Sequence, residues 1–556
     1  MAAWNKTYDF VVVGSGAGSM VAALTMRQAG KSVLILEKEP LIGGTTARSG
    51  GIMWIPNNPF MKNSAEPDSP DKALTYLNAV AGDPSESPGS TPERRRAFLA
   101  EGPKMVEFLI GQGLKFRPVR PWPDYYGELP GASVIGRTVS ADLFDLRKLG
   151  PWVDKLRPGF STMPARMEEG LNVLGRSGVW GKRRAMFAVG LRILYTRLTG
   201  KKLTNAGHAL QAALLHAALR EGVEFQLSAP VQELVLEDGA VKGVQAGIEG
   251  EAVRIQARLG VLINAGGFAR NQSMRDQYMP GTSAEWTLTS PGDTGEMIQE
   301  AIRIGAATGQ MDSFVGCQLT VPPNHVGTYL PQMQLNISKP HAMLVDQSGV
   351  RYLNEGGSYS AFTRNMLKRD KTIPAVPSWM ILDSEYTRQY MLANTMPGSP
   401  LRQEWVRSGY LRKGDTIEAL AQACEIDPAT LKQTVERFNG FARTGRDEDF
   451  GRGNRPYDRW LGDSSHGPSA ALGTIAKAPF YALPIYPGDV STFGGIVTDE
   501  RARVVGQDGK VIPGLYATGA STASIMGVAY AGAGSSIGPT MTWGYVAAKD
   551  AVSSNN

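Results

Sequence analysis

The apolar positions of this chain fall into runs that predict alternating strands and helices. The first run, Phe10 to Val13, is wholly apolar and rich in β-branched residues, as buried parallel strands are. A glycine turn, an apolar helix and a second apolar strand that leads into Glu37 follow it. Residues 222–263 have the pattern of short strands separated by turns such as EDGA. This order predicts an α/β fold with a Rossmann-like sheet.

Helical periodicity recurs in two later segments. Residues 415–445 show it on both sides of a break at IDPAT, which predicts two packed helices with a structural role. The stretch KRRAMFAVGLRILYTRL places Met186, Val189, Ile193 and Leu194 at helical spacing. The second segment predicts a helix with one apolar stripe.

Composition limits the class of protein. With 556 residues, of which 42% are hydrophobic and 20% charged, the chain predicts a globular protein of two or three domains. Its two cysteines, Cys317 and Cys424, exclude a disulfide framework and favour a reducing compartment. The five histidines lack metal-ligand spacing, and neither a secretion signal nor a transmembrane run is apparent. We therefore expect a cytoplasmic protein without a metal site.

The N-terminal turn has the features of a dinucleotide-binding site. Gly14, Gly16 and Gly18 allow a tight turn at which a pyrophosphate can approach backbone N–H groups and a helix N-terminus. Glu37 lies about 20 residues further on, where a carboxylate can bind ribose hydroxyls. Ser19 replaces the third glycine of the usual GxGxxG pattern and is nearly as small. Strand, turn, helix and acid together predict a bound dinucleotide.

Five further motifs decide which dinucleotide is expected. They are, in chain order, LIGGTTARSGGIMWIP, VLINAGGFARN, SPGDTGEMI, STFGGIVTDERARVV and PGLYATGASTASIMG. Their order resembles that of the flavoproteins of the fumarate reductase and succinate dehydrogenase superfamily. The resemblance implies FAD, which should be non-covalent because the loop after Glu37 contains no histidine. It also implies a discontinuous FAD domain, residues 6–291 and 484–556, with an inserted α+β catalytic domain, residues 292–483.

The same resemblance assigns a set of residues to FAD. They are Gly14, Ser15, Gly16, Ala17, Gly18, Ser19, Glu37, Lys38, Gly43, Gly44, Thr45, Thr46, Ser49, Gly50, Gly51, Val231, Ala265, Gly266, Gly267, Asn271, Asp293, Gly519, Ser535 and Ile537. The helix that follows Gly534 should point its positive end at the flavin.

A tyrosine in the C-terminal glycine stretch indicates the chemistry. The motif YAGAG, Tyr530 to Gly534, resembles one of the 3-ketosteroid Δ1-dehydrogenases. The resemblance implies that the Tyr530 hydroxyl and the Gly534 N–H donate to the steroid C3 carbonyl. It implies that Tyr359 removes the C2 proton and that Tyr125, or alternatively Tyr126, assists it. The implied reaction is FAD-dependent 1,2-desaturation of a 3-ketosteroid, with an unidentified electron acceptor.

Three other functions stay open at this point. A ketosteroid Δ4-(5α)-dehydrogenase would act across a different bond of the same ring. A fumarate-type reductase would need arginine and histidine near the flavin, and Arg351 and Arg364 lie in the corresponding loop. A flavoprotein used only for binding or electron transfer would not be reduced by any such substrate.

Residues 147–202 form a basic segment. They contain thirteen lysines and arginines against Asp154, Glu168 and Glu169, a net charge of +10. Within it, Arg183, Arg184, Arg192 and Arg197 surround the apolar stripe. Such a helix either contacts an anionic membrane surface from the cytoplasmic side or serves as a lid or packing element. No nucleic-acid-binding fold accompanies the charge, so we do not expect a nucleic-acid partner.

Overall fold

An eight-stranded mixed sheet carries the N-terminal glycine turn. The computed structural model describes residues 3–62, 67–161, 163–173, 178–323, 330–331 and 334–554. Strand Lys6–Val13 lies at the centre of the sheet, parallel to Val33–Leu36 on one side and to Glu251–Ile263 on the other. Along the sheet, the strands run Arg503–Val505, Val511–Ala517, Glu251–Ile263, Lys6–Val13, Val33–Leu36 and Glu224–Gln226, and the hairpin Val231–Glu237 and Ala240–Ile248 joins Glu251–Ile263.

Both faces of this sheet are covered, which explains its continuous apolar strands. One face packs against four helices, Ala17–Gln28, Pro92–Gly111, Ala206–Arg220 and Ile537–Ser553. The other face packs against helix Glu296–Arg303 and the hairpin. The predicted α/β class with Rossmann-like parallel strands is confirmed.

A second sheet occupies the middle of the chain. Its strands are Phe314–Thr320, Leu330–Pro331, Ala342–Val345, Ser378–Leu382, Arg412–Gly414 and Phe480–Thr492. Helix Tyr359–Asp370 packs on strand Phe314–Thr320. The two helices expected in residues 415–445 are present as Ile417–Ala423 and Pro428–Thr444 and pack together. Strand Phe480–Thr492 continues through residue 484, and the domain boundaries stay a prediction.

Further helices and three small sheets complete the fold. The remaining α-helices are Gly44–Ala47, Pro70–Ala81, Met167–Val173, Gly178–Thr199, Gln272–Tyr278, Gln334–Ile337, Ser384–Gln389, Gln403–Arg407 and Pro456–Leu461. The small sheets pair Ile52–Trp54, Thr138–Ala141 and Phe116–Pro118, Phe144–Asp145 and Leu203–Thr204, and Thr308–Gly309 and Gly495–Ile496. Among the described residues, no helix combines the length and the apolar character needed to cross a bilayer.

Candidate active site

One large cavity connects the glycine turn with the tyrosines singled out above. Its volume is about 1280 Å³. Sites for single small ligands usually have about 300–1,000 Å³. Its wall includes Gly14 and Glu37 at one end and Tyr125, Tyr359 and Tyr530 at the other. The cavity therefore has room for a dinucleotide and a second ligand side by side.

The nucleotide end is formed by backbone that only glycine can supply. Gly14 has φ +94°, and a Cβ there would lie 2.2 Å from the Asn264 carbonyl oxygen. Behind this turn the Glu37 carboxylate is buried and accepts the N–H groups of Ser15 at 3.1 Å and Glu39 at 3.0 Å. Burial raises the pKa of Glu37, against these hydrogen bonds. The carboxylate is thus held at the end of its strand, facing the cavity.

Asp293 supplies a direct test of whether FAD fits. One carboxylate oxygen accepts the Gly267 N–H, while the other is buried and has no hydrogen-bond partner among the described residues. Burial raises the pKa of Asp293 to about 6. The hydroxyl of Thr492, also at the cavity wall, is likewise buried and unpartnered. These atoms fit the hydroxyl-rich chain of FAD, which can donate to the carboxylate.

Most residues expected at FAD do line the cavity. They are Gly14, Ser15, Gly16, Glu37, Lys38, Gly44, Thr45, Thr46, Ser49, Gly50, Val231, Ala265, Gly266, Asp293, Gly519, Ser535 and Ile537. Seven others lie behind its wall, namely Ala17, Gly18, Ser19, Gly43, Gly51, Gly267 and Asn271.

The residues behind the wall have packing contacts that explain their position. A Cβ on Gly18 would lie 2.7 Å from the Thr540 carbonyl oxygen, and one on Gly51 2.2 Å from the backbone of Ala206. The side chain of Asn271 caps helix Gln272–Tyr278. Their small size or capping side chain serves to bring backbone segments together around the site, which a motif comparison does not distinguish from ligand contact.

Three phenol rings meet at the other end of the cavity. The ring centroids of Tyr359 and Tyr530 are 5.2 Å apart, those of Tyr125 and Tyr359 5.6 Å, and those of Tyr125 and Tyr530 5.9 Å. Tyr359 is the first residue of helix Tyr359–Asp370, whereas the other two lie in loops. Gly534 lines the same end with φ +96°. The four residues proposed for chemistry are therefore brought together from three distant segments.

The surroundings of these hydroxyl groups are apolar or made of other phenols. The Tyr530 hydroxyl is hydrogen-bonded to the Ser536 hydroxyl at 3.3 Å. Burial, together with the neighbouring Tyr530, raises the pKa of Tyr359 well above its usual value, and burial, together with Tyr359, does the same for Tyr125. Tyr125 and Tyr359 contact each other through an edge-on ring arrangement. All of the phenols with shifted pKa values are therefore neutral at rest near neutral pH.

Two residues that the sequence offered for other assignments lie elsewhere. Tyr126, the alternative to Tyr125, does not line the cavity. Arg351 is buried in ion pairs with Glu355 and Asp447 and does not face the cavity. Arg351 is thus paired inside the protein and is not placed to bind a carboxylate substrate in the cavity.

Comparisons with known proteins agree with this geometry. Residues 9–537 match the model of the FAD binding domain family. The 3-oxosteroid 1-dehydrogenase of Mycolicibacterium smegmatis is 39% identical, with 98% of this chain and 97% of that protein covered. The chain belongs to the 3-oxosteroid 1-dehydrogenase family.

Two further proteins are similar to this chain over nearly its whole length. The crystal structure of 3-ketosteroid delta1-dehydrogenase from Sterolibacterium denitrificans in complex with 1,4-androstadiene-3,17-dione matches with a TM-score of 0.92 and 36% identity, covering 99% of this chain and all of that one. The 4-oxocyclohexanecarboxylate 2-dehydrogenase of Sinomonas cyclohexanicum is 34% identical, covering 98% of this chain and 93% of that protein. Membership of this family confirms FAD as the cofactor.

Within this 3-oxosteroid 1-dehydrogenase family member, the structure adds residues that sequence reasoning missed. Tyr457 stacks on Tyr125 with ring centroids 4.2 Å apart, and Trp460 continues the stack at 5.6 Å. Cys317 lines the cavity as a buried thiol, and burial raises its pKa to about 12. Arg94 is a fully buried cavity residue. No motif surrounds these residues in the sequence, and only their place in the fold brings them to the site.

The basic helix, Gly178–Thr199, also contributes to the cavity. Met186, Val189 and Ile193 line the wall, although Met186 is also 54% exposed, and Leu194, the fourth residue of the expected stripe, does not line it. A different stripe faces solvent, with exposed fractions of 52–78%, at Phe187, Leu191, Leu194 and Leu198. Arg192 is paired with Glu169 at 2.7 Å. The helix therefore has two apolar faces, one that lines the cavity and one that is exposed to solvent.

Proposed function

We propose that this protein catalyses the FAD-dependent 1,2-desaturation of 3-ketosteroids. The observation that carries the proposal is the meeting of Tyr125, Tyr359, Tyr530 and Gly534 at the end of a cavity whose other end fits FAD. Family membership supports the same reaction, since two of the relatives described above, those from Mycolicibacterium smegmatis and Sterolibacterium denitrificans, bear the name of that activity.

The first step concerns the ketone oxygen. We assign the Tyr530 hydroxyl and the Gly534 N–H as its two hydrogen-bond donors. Loss of a proton beside the ketone leaves an enolate, and donors already aimed at that oxygen stabilise the developing charge. Gly534 suits the role because its N–H donates no hydrogen bond within the described part of the chain. Its φ of +96° favours glycine, so the backbone can approach the substrate closely.

The second step is removal of the C2 proton, which we assign to Tyr359. A phenol acts as a base only after it has lost its own proton, and burial opposes that loss here. A substrate ketone that accepts from Tyr530 would replace Ser536 as the hydrogen-bond partner of that hydroxyl. Tyr125 packs edge-on against the Tyr359 ring and holds it in place. The base is thus oriented by the other two phenols.

When bound, FAD would supply the acceptor for the C1 hydride. The Gly14 turn, Glu37 and Asp293 would hold it, and helix Ile537–Ser553 begins at the cavity wall with its positive end toward the cavity. Reoxidation requires an electron acceptor, which is a separate partner.

The character of the wall favours a steroid over a small keto acid. The end beyond the tyrosines is lined by apolar side chains, including Met163, Met186, Val189 and Ile193. A carboxylate substrate would need a free cationic partner in this part of the wall. Arg166, which lines it, is paired with Asp142 at 3.0 Å, and Arg351, expected for that role in a fumarate-type site, is paired away from the cavity. The apolar extension also suits steroids that retain a long side chain at C17.

Anaerobic titration tests the proposed function. Oxidised holoenzyme is mixed with 4-androstene-3,17-dione, with 5α-androstane-3,17-dione, whose C4–C5 bond is saturated, with a 3-ketosteroid that has a long C17 side chain, or with 4-oxocyclohexanecarboxylate. Flavin absorbance, product mass and the position of the new double bond by nuclear magnetic resonance are recorded, and reduced holoenzyme is mixed separately with fumarate to test for reoxidation. We expect the steroids alone to bleach the flavin, each giving a product lighter by two hydrogens with a new C1–C2 double bond, and we expect no reoxidation by fumarate. Bleaching by the small keto acid, but by no steroid, would contradict the assignment. A new C4–C5 double bond in 5α-androstane-3,17-dione, with no reaction of 4-androstene-3,17-dione, would instead identify a Δ4-(5α)-dehydrogenase.

We also propose peripheral contact of the basic helix with an anionic membrane on the cytoplasmic side. The outward stripe of Phe187, Leu191, Leu194 and Leu198 can enter the headgroup boundary. Arg183, Arg184 and Arg197 lie beside it, and each well-placed charge adds about 1 kcal/mol of attraction. Because the opposite face of the helix lines the cavity, contact would bring the cavity close to dissolved steroid.

Co-sedimentation with phosphatidylserine-containing liposomes at low and high salt tests the contact. We expect wild-type protein to sediment at low salt only. Changing Phe187, Leu191 and Leu198 to Ser should abolish sedimentation, whereas changing Met396, an exposed apolar residue outside the helix, to Ser should not. Equal behaviour of both variants would leave the helix as a wall element.

A further inference from the structure

A buried ion cluster lies directly behind the tyrosine end of the cavity. Arg137 binds Asp68 through two hydrogen bonds of 2.7 and 2.8 Å and Asp124 through a third of 2.8 Å. All three side chains are at most 1% exposed, and none of them lines the cavity. Two carboxylates thus share one guanidinium in the interior. Burying these charges carries a desolvation penalty, which only well-aligned hydrogen bonds can offset.

Asp124 connects this cluster to Trp54. One carboxylate oxygen accepts the Trp54 indole N–H at 2.8 Å, and the other accepts Arg137 and the Ser133 N–H at 2.9 Å. The indole lies against Gly532, where a Cβ would be 2.6 Å from the ring and 3.2 Å from Asp124. The Trp54 backbone N–H donates to the Gly534 carbonyl at 3.1 Å. Asp124 therefore fixes the residue that backs the glycine stretch.

The glycine stretch, residues 531–534, is held by all four of its carbonyl oxygens. Ala531 accepts the Tyr125 N–H at 3.0 Å and the Tyr76 hydroxyl at 2.7 Å. The remaining three carbonyls accept groups of Ser535, Thr138 and Trp54, in that order. With these oxygens held, the Gly534 N–H is left for a ligand. Small shifts of Trp54 would therefore move that donor.

We propose that Asp124 is a positioning residue for the oxyanion donors Gly534 and Tyr530. It acts through Trp54 on the glycine stretch, and through its neighbour Tyr125, whose N–H holds the same stretch. The proposal rests on the proposed function, because it concerns the ketone oxygen of that reaction. Displacement of a reacting group by about 1 Å can slow an enzyme about a hundredfold, so a residue outside the cavity can have a large effect.

A matched pair of variants separates positioning from stability. In Asp124→Asn, the single amide oxygen cannot accept both from Trp54 and from Arg137 with Ser133, so one side of the contact is lost. Asp68→Asn weakens the same ion cluster without contacting Trp54. A purely structural cluster predicts similar effects of both variants on turnover. Trp54→Phe, which removes the indole N–H and keeps a ring, is the third variant in case Asp124→Asn does not fold.

Two measurements on the holoenzymes decide the matter. The first is kcat and KM with a 3-ketosteroid. The second is the ionisation of a bound phenolic A-ring steroid, whose phenolate imitates the enolate and absorbs in the ultraviolet. For Asp124→Asn we expect kcat to fall about 30-fold or more, KM to change little, and the apparent pKa of the bound phenol to rise by about one unit. Asp68→Asn should melt at lower temperature and keep turnover within about threefold of wild type, an ordinary effect of a residue remote from the reacting atoms.

Equal losses of kcat in Asp124→Asn and Asp68→Asn, or unchanged ionisation of the bound phenol in Asp124→Asn, would overturn the positioning role while wild-type turnover upheld the proposed function. If Asp124→Asn does not fold, Trp54→Phe decides by the same two criteria. A wild-type flavin that no 3-ketosteroid reduces would overturn the proposed function and this inference together.

Discussion

The two ends of the cavity are built in opposite ways. The nucleotide end uses backbone N–H groups, a glycine turn and buried carboxylates, and much of it comes from one stretch of chain, residues 14–50. The tyrosine end uses side-chain hydroxyls from residues 125, 359, 457 and 530, which meet only in the folded protein. Binding is therefore specified locally, whereas the proposed chemistry is specified by the relation of the two sheets. Changes at one end should leave the other working.

The largest expected effect is that of Tyr359→Phe. Without the phenol oxygen there is no base for the C2 proton, and general bases contribute about 10²–10⁴-fold to rate. Turnover should fall about a thousandfold, and exchange of the C2 hydrogen with deuterated solvent should stop, while FAD stays bound. Nuclear magnetic resonance of the recovered steroid measures the exchange. Persistent exchange would assign the base to another group.

Tyr530→Phe should follow closely. It removes one of two donors to the ketone oxygen, which typically costs about 10²–10³-fold in kcat. The flavin spectrum and FAD affinity should match those of wild type, because Tyr530 lies at the tyrosine end. A variant with near-normal kcat would show that the phenol is a packing residue.

The pH dependence of kcat/KM tests the tyrosine end of the cavity separately from the nucleotide end. Since the pKa of Tyr359 is raised, its base form is a minor species near neutral pH and grows about tenfold per pH unit below that pKa. We expect kcat/KM for a 3-ketosteroid to rise with pH across the neutral and mildly alkaline range. A rate independent of pH over two units would mean that the base is already deprotonated in that range, which a phenol with a raised pKa is not.

Asp293→Asn tests the nucleotide end alone. Because burial raises the pKa of Asp293 to about 6, the carboxyl holds a proton below that pH and must lose it to accept fully from an FAD hydroxyl. FAD affinity of the apoprotein should therefore rise as pH increases through about 6 and then level off. The variant should bind FAD about tenfold more weakly above that pH, the typical value of a hydrogen bond to a charged group, and lose the pH dependence. Quenching of flavin fluorescence measures both effects.

Tyr125→Phe should have the smallest effect. The variant keeps the ring contacts with Tyr359, Tyr457 and Tyr530 and loses only its hydroxyl. Loss of one neutral hydroxyl that can hydrogen-bond corresponds to about threefold to tenfold in rate. The pH at which turnover is half-maximal should move upward. A loss as large as that of Tyr359→Phe would make Tyr125 a direct participant in proton transfer.

Sequence reasoning succeeded where chemistry and chain order coincide. The Gly14 turn and Glu37 follow from one strand–turn–helix pattern, and the α/β class follows from the same apolar runs. The YAGAG motif led to Tyr530 and Gly534 because small residues are informative wherever backbone must approach a ligand. The distinction between residues that touch the cavity and residues that pack behind it, such as Gly18 and Asn271, could not be made, since both require small or capping residues.

Other features of the site depend on packing between distant segments, which leaves no pattern in the local sequence. Tyr457 follows a charged loop that carries no recognisable motif. It reaches Tyr125 only because helix Pro456–Leu461 lies against the loop that contains Tyr125. For the basic helix, periodicity predicted an apolar stripe and the fold revealed two, one facing the cavity and one facing solvent. A pattern of period 3.6 identifies a buried face and does not say what covers it.

The four held carbonyls of residues 531–534 have an evolutionary consequence. Four separate segments donate hydrogen bonds to this stretch, at Trp54, Tyr76, Tyr125 and Thr138. A change of its path would therefore require compensating changes in all of them at once. The wall formed by Met186, Val189 and Ile193 has no such ties to the reacting groups, and single substitutions there alter only the shape offered to a substrate. Descendants of such a scaffold can therefore exchange one cyclic ketone for another while inheriting the same reaction intact.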